Sequence, residues 1–200
     1  MSSNVAPTPT LRTAVLGRST WLTEAILLAA GVLLVALSAQ VTFHLPNTPV
    51  PISGQTFAVL LVGSAYGATR GFSTIALYLL VGIVGFPVFS SGSSGWEQVS
   101  GATGGYLVGM LVAAGLVGML AERGLDRRLS TAVTSMLTGN VVIYLFGLAW
   151  LYHELPNATV SSTLAAGLYP FVVGDLLKTY LAGALLPGAW SLVRMVRGEK

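Results

Sequence analysis

The sequence predicts an all-α integral membrane protein, a bundle of six membrane-crossing helices with both termini in the cytoplasm. Three observations carry this. Of 200 residues, 54% are hydrophobic and only 8% charged, and the mean hydropathy is +0.77. A soluble domain carries about 25% charged residues, so these charges are too few to cover a water-soluble globule. The apolar residues fall into six runs, and nine of the ten Lys and Arg residues lie outside them on alternate connections. The 24 glycines and nine prolines do not mean disorder, which requires low hydrophobicity. The absence of cysteine removes disulfides, thiolate catalysis and cysteine metal sites.

Residues 1–19 are polar, contain Arg12 and Arg18 and hold no apolar run, which reads as a disordered cytoplasmic leader. The first run, residues 21–41, is long enough to cross a hydrocarbon core about 30 Å thick. A cleaved signal peptide is the rival reading. The length of the run and the spans that follow argue against it. Runs 52–68 and 72–89 are shorter and broken by Gly or Pro, whereas runs 103–120, 131–151 and 168–193 each have spanning length. The membrane domain thus covers residues 20–194, with a cytoplasmic tail at 195–200.

The charges decide the count. With six spans, the cytoplasmic segments hold Arg12, Arg18, Arg70, Arg123, Arg127, Arg128, Arg194, Arg197 and Lys200. The outer loops hold no Lys or Arg but carry Glu97, Glu154, His44 and His153. This is the positive-inside pattern. Folding 52–89 as one re-entrant hairpin would place Arg70 inside the bilayer, at a cost of a few kcal/mol. The basic isoelectric point therefore reflects topology and implies no nucleic-acid partner.

The tenth cation, Lys178, lies inside the last run, three residues after Asp175. That spacing puts both charges on one helix face. Pro170 fits the first turn of this helix, which places the pair one to two and a half turns deep in the outer half of the membrane. Ionisable residues at such depth mark functional sites. The plain alternative is a self-neutralising pair that locks the helix into the bundle. The pair offers an acceptor and a donor to a small polar ligand such as a cyclic urea or amide. Asn140 and Tyr144 on the fifth span, and Tyr78 on the third, approach the same level. A lone membrane Asn serves equally well as an interhelical hydrogen bond.

Two outer segments complete the candidate site. The loop Pro49-Val50-Pro51-Ile52-Ser53-Gly54-Gln55-Thr56 is stiff and brings Gln55 and Thr56 to the mouth of the second span. Ser53 and Thr56 can instead cap that helix. The glycine-rich stretch 87–105 has no Gly-Lys-Ser/Thr and is not a phosphate loop. As a lid it would let Gly104, Gly105 and Tyr106 approach a ligand and Trp96 cover one, although Trp96 also suits an interface anchor. Gly101, Gly105, Gly109 and Ala113 recur every four residues, a stripe for close helix packing. Ala25 and Ala29 form a shorter stripe on the first span. No HExxH or Walker A motif occurs, so neither zinc-protease chemistry nor ATP hydrolysis is expected of this chain, and no cofactor is implied.

These residues resemble the BioY family, the biotin-specific substrate-binding (S) component of energy-coupling factor (ECF) transporters. The likeness rests on the residue 49–56 loop, Gly85-Phe86-Pro87-Val88-Phe89, Thr103-Gly104-Gly105-Tyr106-Leu107, Gly139-Asn140-Val141-Val142-Ile143-Tyr144, and the stretch from Pro170 to Lys178. The resemblance implies a six-helix bundle holding biotin between its outer loops and the outer ends of its last three helices. It makes Asp175 and Lys178 the polar contacts and implies a transmembrane coupling protein, contacted through Ala25 and Ala29, with a pair of cytoplasmic ATPases. Ser53 stands where the family commonly has Thr, which keeps the hydroxyl. An S component for another small vitamin, or a membrane scaffold or enzyme, remains open on the residues alone.

Overall fold

The computed structural model describes residues 8–17, 20–46 and 48–198, so Arg18, Lys200 and the first part of the leader lie outside the described residues. The chain forms α1 (Leu11–Leu16), α2 (Trp21–Gln40), β1 (Thr42–Phe43), β2 (Ile52–Ser53), α3 (Gln55–Tyr66) and α4 (Ala68–Val84). A 3-10 turn (Ser90–Gly92) precedes α5 (Trp96–Ser100), α6 (Gly104–Ala121), α7 (Leu129–Glu154), α8 (Val160–Gly167) and α9 (Val172–Arg197). Four of these, α2, α6, α7 and α9, are long and apolar enough to cross a membrane. Helices α3 and α4 are apolar but shorter, with 12 and 17 residues; at about 1.5 Å per residue, α3 reaches only about 18 Å.

The contacts sort the helix ends into two groups. At one end β1 and β2 pair antiparallel, with Thr42 opposite Ser53, and join the end of α2 to the start of α3. Lys178 in α9 donates to the Ser53 carbonyl at that same end. At the other end the Glu122 carboxylate, just past α6, accepts from the Ala68 N–H that opens α4. Helices α2, α3, α4, α6, α7 and α9 therefore alternate in direction between a cavity end and a basic end. Of the four long helices, α6 is the most enclosed by the rest of the protein and α2 the least. The outward faces carry Leu33, Leu80, Leu145, Leu177 and Leu185, all well exposed, as expected of surface that meets lipid.

Small residues set the tightest approach. A Cβ at Gly105 would stand 2.3 Å from Trp150 Cβ, and one at Gly109 would stand 2.9 Å from Ile143 Cα. The four-residue stripe thus does what its spacing predicts and seats α6 against α7.

Three expectations are corrected. The leader is not without structure over Leu11–Leu16, where a short helix buries Leu11 and Ala14 under the basic end. The residue 8–10 approach to it is tied by Thr8, whose N–H and Oγ1 both donate to the Glu122 carbonyl. Arg197 also donates to the Ala14 carbonyl. A six-residue helix is marginal alone and exists through these contacts. Pro170 lies in the turn before α9 rather than in its first turn, so Asp175 is one turn from the helix start and Lys178 about two. The outer loops are also more regular than expected, with α5 and α8 inside them.

Candidate binding site at the cavity end

At this end a cavity opens between the loop before α3, the turn before α5, and helices α6, α7 and α9; its empty space, part of it open to solvent, is about 580 Å³. Most of its wall is apolar: Val50, Phe89, Leu107, Met110, Ile143 and Phe171 contribute. The polar groups are concentrated on Ser53, Gln55, Thr56, Gln98, Thr103, Tyr106, Tyr144, Asp175 and Lys178.

Asp175 is the hub. Lys178 Nζ stands 2.5 Å from Asp175 Oδ1 and donates to the Ser53 carbonyl at 2.9 Å. Thr56 Oγ1 donates to Asp175 Oδ1 at 3.4 Å, and the Tyr144 hydroxyl donates to Asp175 Oδ2. Both charged side chains are largely enclosed, 10% exposed for Asp175 and 21% for Lys178. Removing a charge pair from water is expensive unless further hydrogen bonds satisfy it, and here α3, α7 and the 49–56 loop supply them. Tyr144 meets Tyr106 edge to face, with ring centroids 6.3 Å apart, and Tyr106 donates to the Gly167 carbonyl at 2.8 Å. The aromatic wall is thereby fixed to the end of α8.

Of the residues singled out from sequence, the structure brings Asp175, Lys178, Gln55, Thr56, Tyr106 and Tyr144 together around the cavity. It does not bring Asn140, Gly104, Gly105 or Trp96 into its lining. Asn140 lies one turn below Tyr144, where its Nδ2 donates to Thr179 Oγ1 and joins α7 to α9. A Cβ at Gly104 would meet the Val99 carbonyl, and one at Gly105 would meet Trp150, so these glycines serve chain packing. Trp96 points away and is 65% exposed. Thr56 reaches Asp175 instead of capping α3, while Ser53 Oγ accepts from the Gln55 N–H that opens this helix, at 3.3 Å.

Three polar lining residues were not singled out from the sequence as site residues: Ser90, Gln98, which donates to Thr103 at 2.8 Å, and Thr103 itself. Their sole signal was membership of the polar, glycine-rich stretch. Phe89 was not singled out either. Its ring fills the space over Gly82, where a Cβ would lie 2.1 Å from the ring, and meets Tyr78 edge to face at 5.5 Å.

The fold and site define a helical membrane protein with a cavity at one end whose wall carries a buried charge pair. The chain belongs to the BioY family: the family model described as BioY family matches residues 9–195. It is 34% identical to the "Probable biotin transporter BioY" of Pyrococcus horikoshii over 80% of this chain and 91% of that protein. It is 32% identical to the "Biotin transporter BioY" of Rhizobium etli over 76% of this chain and 84% of the relative. In fold it is similar to a crystal structure of the S-component for biotin from an ECF-type ABC transporter. The TM-score is 0.71 at 21% identity, covering 92% of this chain and 96% of the other.

Proposed function

We propose that this chain is a biotin-binding S component that mediates biotin uptake together with an ECF energising module. The observation that carries the reading is the Asp175–Lys178 pair in the wall of the cavity, in a chain whose relatives are described as biotin transporters. A ureido ring presents N–H and C=O side by side. Asp175 accepts from the N–H groups, Lys178 donates to the carbonyl, and Thr56 and Tyr144 hold the carboxylate in place. The apolar wall of Phe89, Leu107, Met110 and Ile143 receives the rest of the bicyclic ring. Asn140 acts from below, through its bond to Thr179, one turn from Asp175.

Six crossings, with both termini cytoplasmic, are part of this reading. Its support is the alternation of the six longer helices and the charge at the basic end. There Arg12 and Arg70 pair with Glu24, and Arg127 lies 4.6 Å over the Trp190 ring. That end faces the cytoplasm under the positive-inside rule, residues 20–194 form the membrane domain of the inner cell membrane, and 195–200 form the tail. The short α3 is carried within the bundle.

The chain is not an enzyme. ATP is consumed by partner ATPase subunits, and the coupling transmembrane protein docks on the α2 face where Ala25 and Ala29 are exposed. Calorimetric titration of the purified protein with biotin tests the function, with riboflavin and thiamine as competitors. Binding of biotin that neither competitor displaces is the expected result. No binding, or displacement by either, sinks it.

A further inference from the structure

The cavity wall contains one amide whose orientation is dictated by its neighbours. Gln55 is 5% exposed, and its side chain touches two hydroxyls. Ser53 Oγ donates to Gln55 Oε1 at 3.0 Å, and Gln55 Nε2 stands 2.6 Å from the Tyr78 hydroxyl. Tyr78 is fully buried, and its hydroxyl donates to the Val88 carbonyl at 3.0 Å. A phenol has one proton, and a carbonyl can only accept. The Tyr78 proton is therefore committed to Val88, and the phenol oxygen must accept from its other neighbour. The end of Gln55 facing it has to be the NH2. The reversed amide would set two acceptors against one proton and lose a bond.

Resting on the biotin reading above, we propose that Tyr78 is a positioning residue for ligand selectivity. It fixes Gln55 so that the remaining Nε2–H faces the cavity as a donor to an acceptor oxygen of the ligand. Tyr78 itself does not line the cavity and acts through Gln55. Its position on α4 is held by the edge-to-face contact with Phe89.

Tyr78→Phe keeps the ring and its packing and removes the hydrogen-bond relay. The probes are biotin, 2-iminobiotin, which carries N–H in place of the ureido oxygen, and a biotin analogue whose carboxylate is replaced by a methyl group. Calorimetry on the full chain should show Tyr78→Phe weakening biotin about tenfold, the worth of one hydrogen bond. The analogue that lacks the contacted acceptor should weaken by less than about threefold. In a Gln55→Leu background, Tyr78→Phe should change biotin affinity by less than about twofold, because the group it orients is gone. Equal weakening toward all three ligands overturns the proposal, as does a full tenfold effect in the Gln55→Leu background. Either would make Tyr78 a structural support for the 85–89 turn. Unchanged affinity for every ligand overturns it too. If wild type binds none of the three, the biotin reading itself has failed, a result distinct from these.

Discussion

The two ends of the bundle both hold charged groups against protein, but they do so differently. At the cavity end, Asp175 and Lys178 sit beside open volume and share polar partners from three separate segments. At the basic end, Asp126 is 2% exposed, accepts from Trp190 Nε1 at 2.6 Å through Oδ2, and leaves Oδ1 without a hydrogen-bond partner among the described residues. Burial pushes the Asp126 carboxyl above the usual carboxylate range, against the opposing pull of the Trp190 bond and of Arg127. One end is a charge pair supported on several sides and available to a ligand. The other is a packed carboxyl whose charge the fold tolerates poorly. Depth of burial alone does not mark a site; supported charge beside free volume does.

The comparison breaks first at the pair itself. Lys178→Ala should weaken biotin by at least about 100-fold, since a charged hydrogen bond is worth about 1.5–3 kcal/mol and the orphaned Asp175 adds to the loss; isothermal titration reads this directly. Tyr144→Phe leaves the pair intact but removes one bond to Asp175, and about a tenfold loss in the same assay is expected. Gly82→Ala probes the cavity wall beneath Phe89. Its Cβ would collide with Phe89, so a melting curve in detergent should fall by an amount corresponding to about 1–3 kcal/mol.

The smallest effect on binding belongs to the basic end. Asp126→Asn keeps an acceptor for Trp190 and should leave biotin affinity within about twofold. Its signature is in stability against pH. Because the folded-state pKa of Asp126 is raised, its neutral form is favoured by folding. The wild type thus gains stability as pH falls through that value, the gain is complete below the unfolded value, and it is lost again as pH rises. Asp126→Asn should lack this gain, so the melting temperatures of the two proteins should converge toward acid and separate toward neutral pH, with the variant higher. Parallel curves would show that the buried carboxyl carries no such cost.

Much of this was legible in the sequence, for identifiable reasons. The long helices follow from apolar runs, and Asp175 with Lys178 from an i, i+3 pair where a membrane helix cannot leave charges unsupported. Facing was harder to read. Asn140 and Tyr144 are one turn apart on α7, yet only Tyr144 lines the cavity, because that depends on where α9 crosses. Gly104 and Gly105 fit both a lid and a packing stripe, and only the position of Trp150 decides. Helix α1 was invisible because its stability lies in tertiary contacts with Glu122 and Arg197, not in its own residues. The bond chain from Ser53 through Gln55 and Tyr78 to Val88 joins three separate segments, and no spacing rule predicts it.

The most direct test of the central claim is mass spectrometry of small molecules released from purified, heat-denatured protein, with wild type and Asp175→Asn prepared from the same biotin-supplemented cells. The account predicts biotin from the wild type at near one molecule per chain and little or none from the isosteric variant. A different small molecule from the wild type, or equal biotin from both proteins, would contradict it.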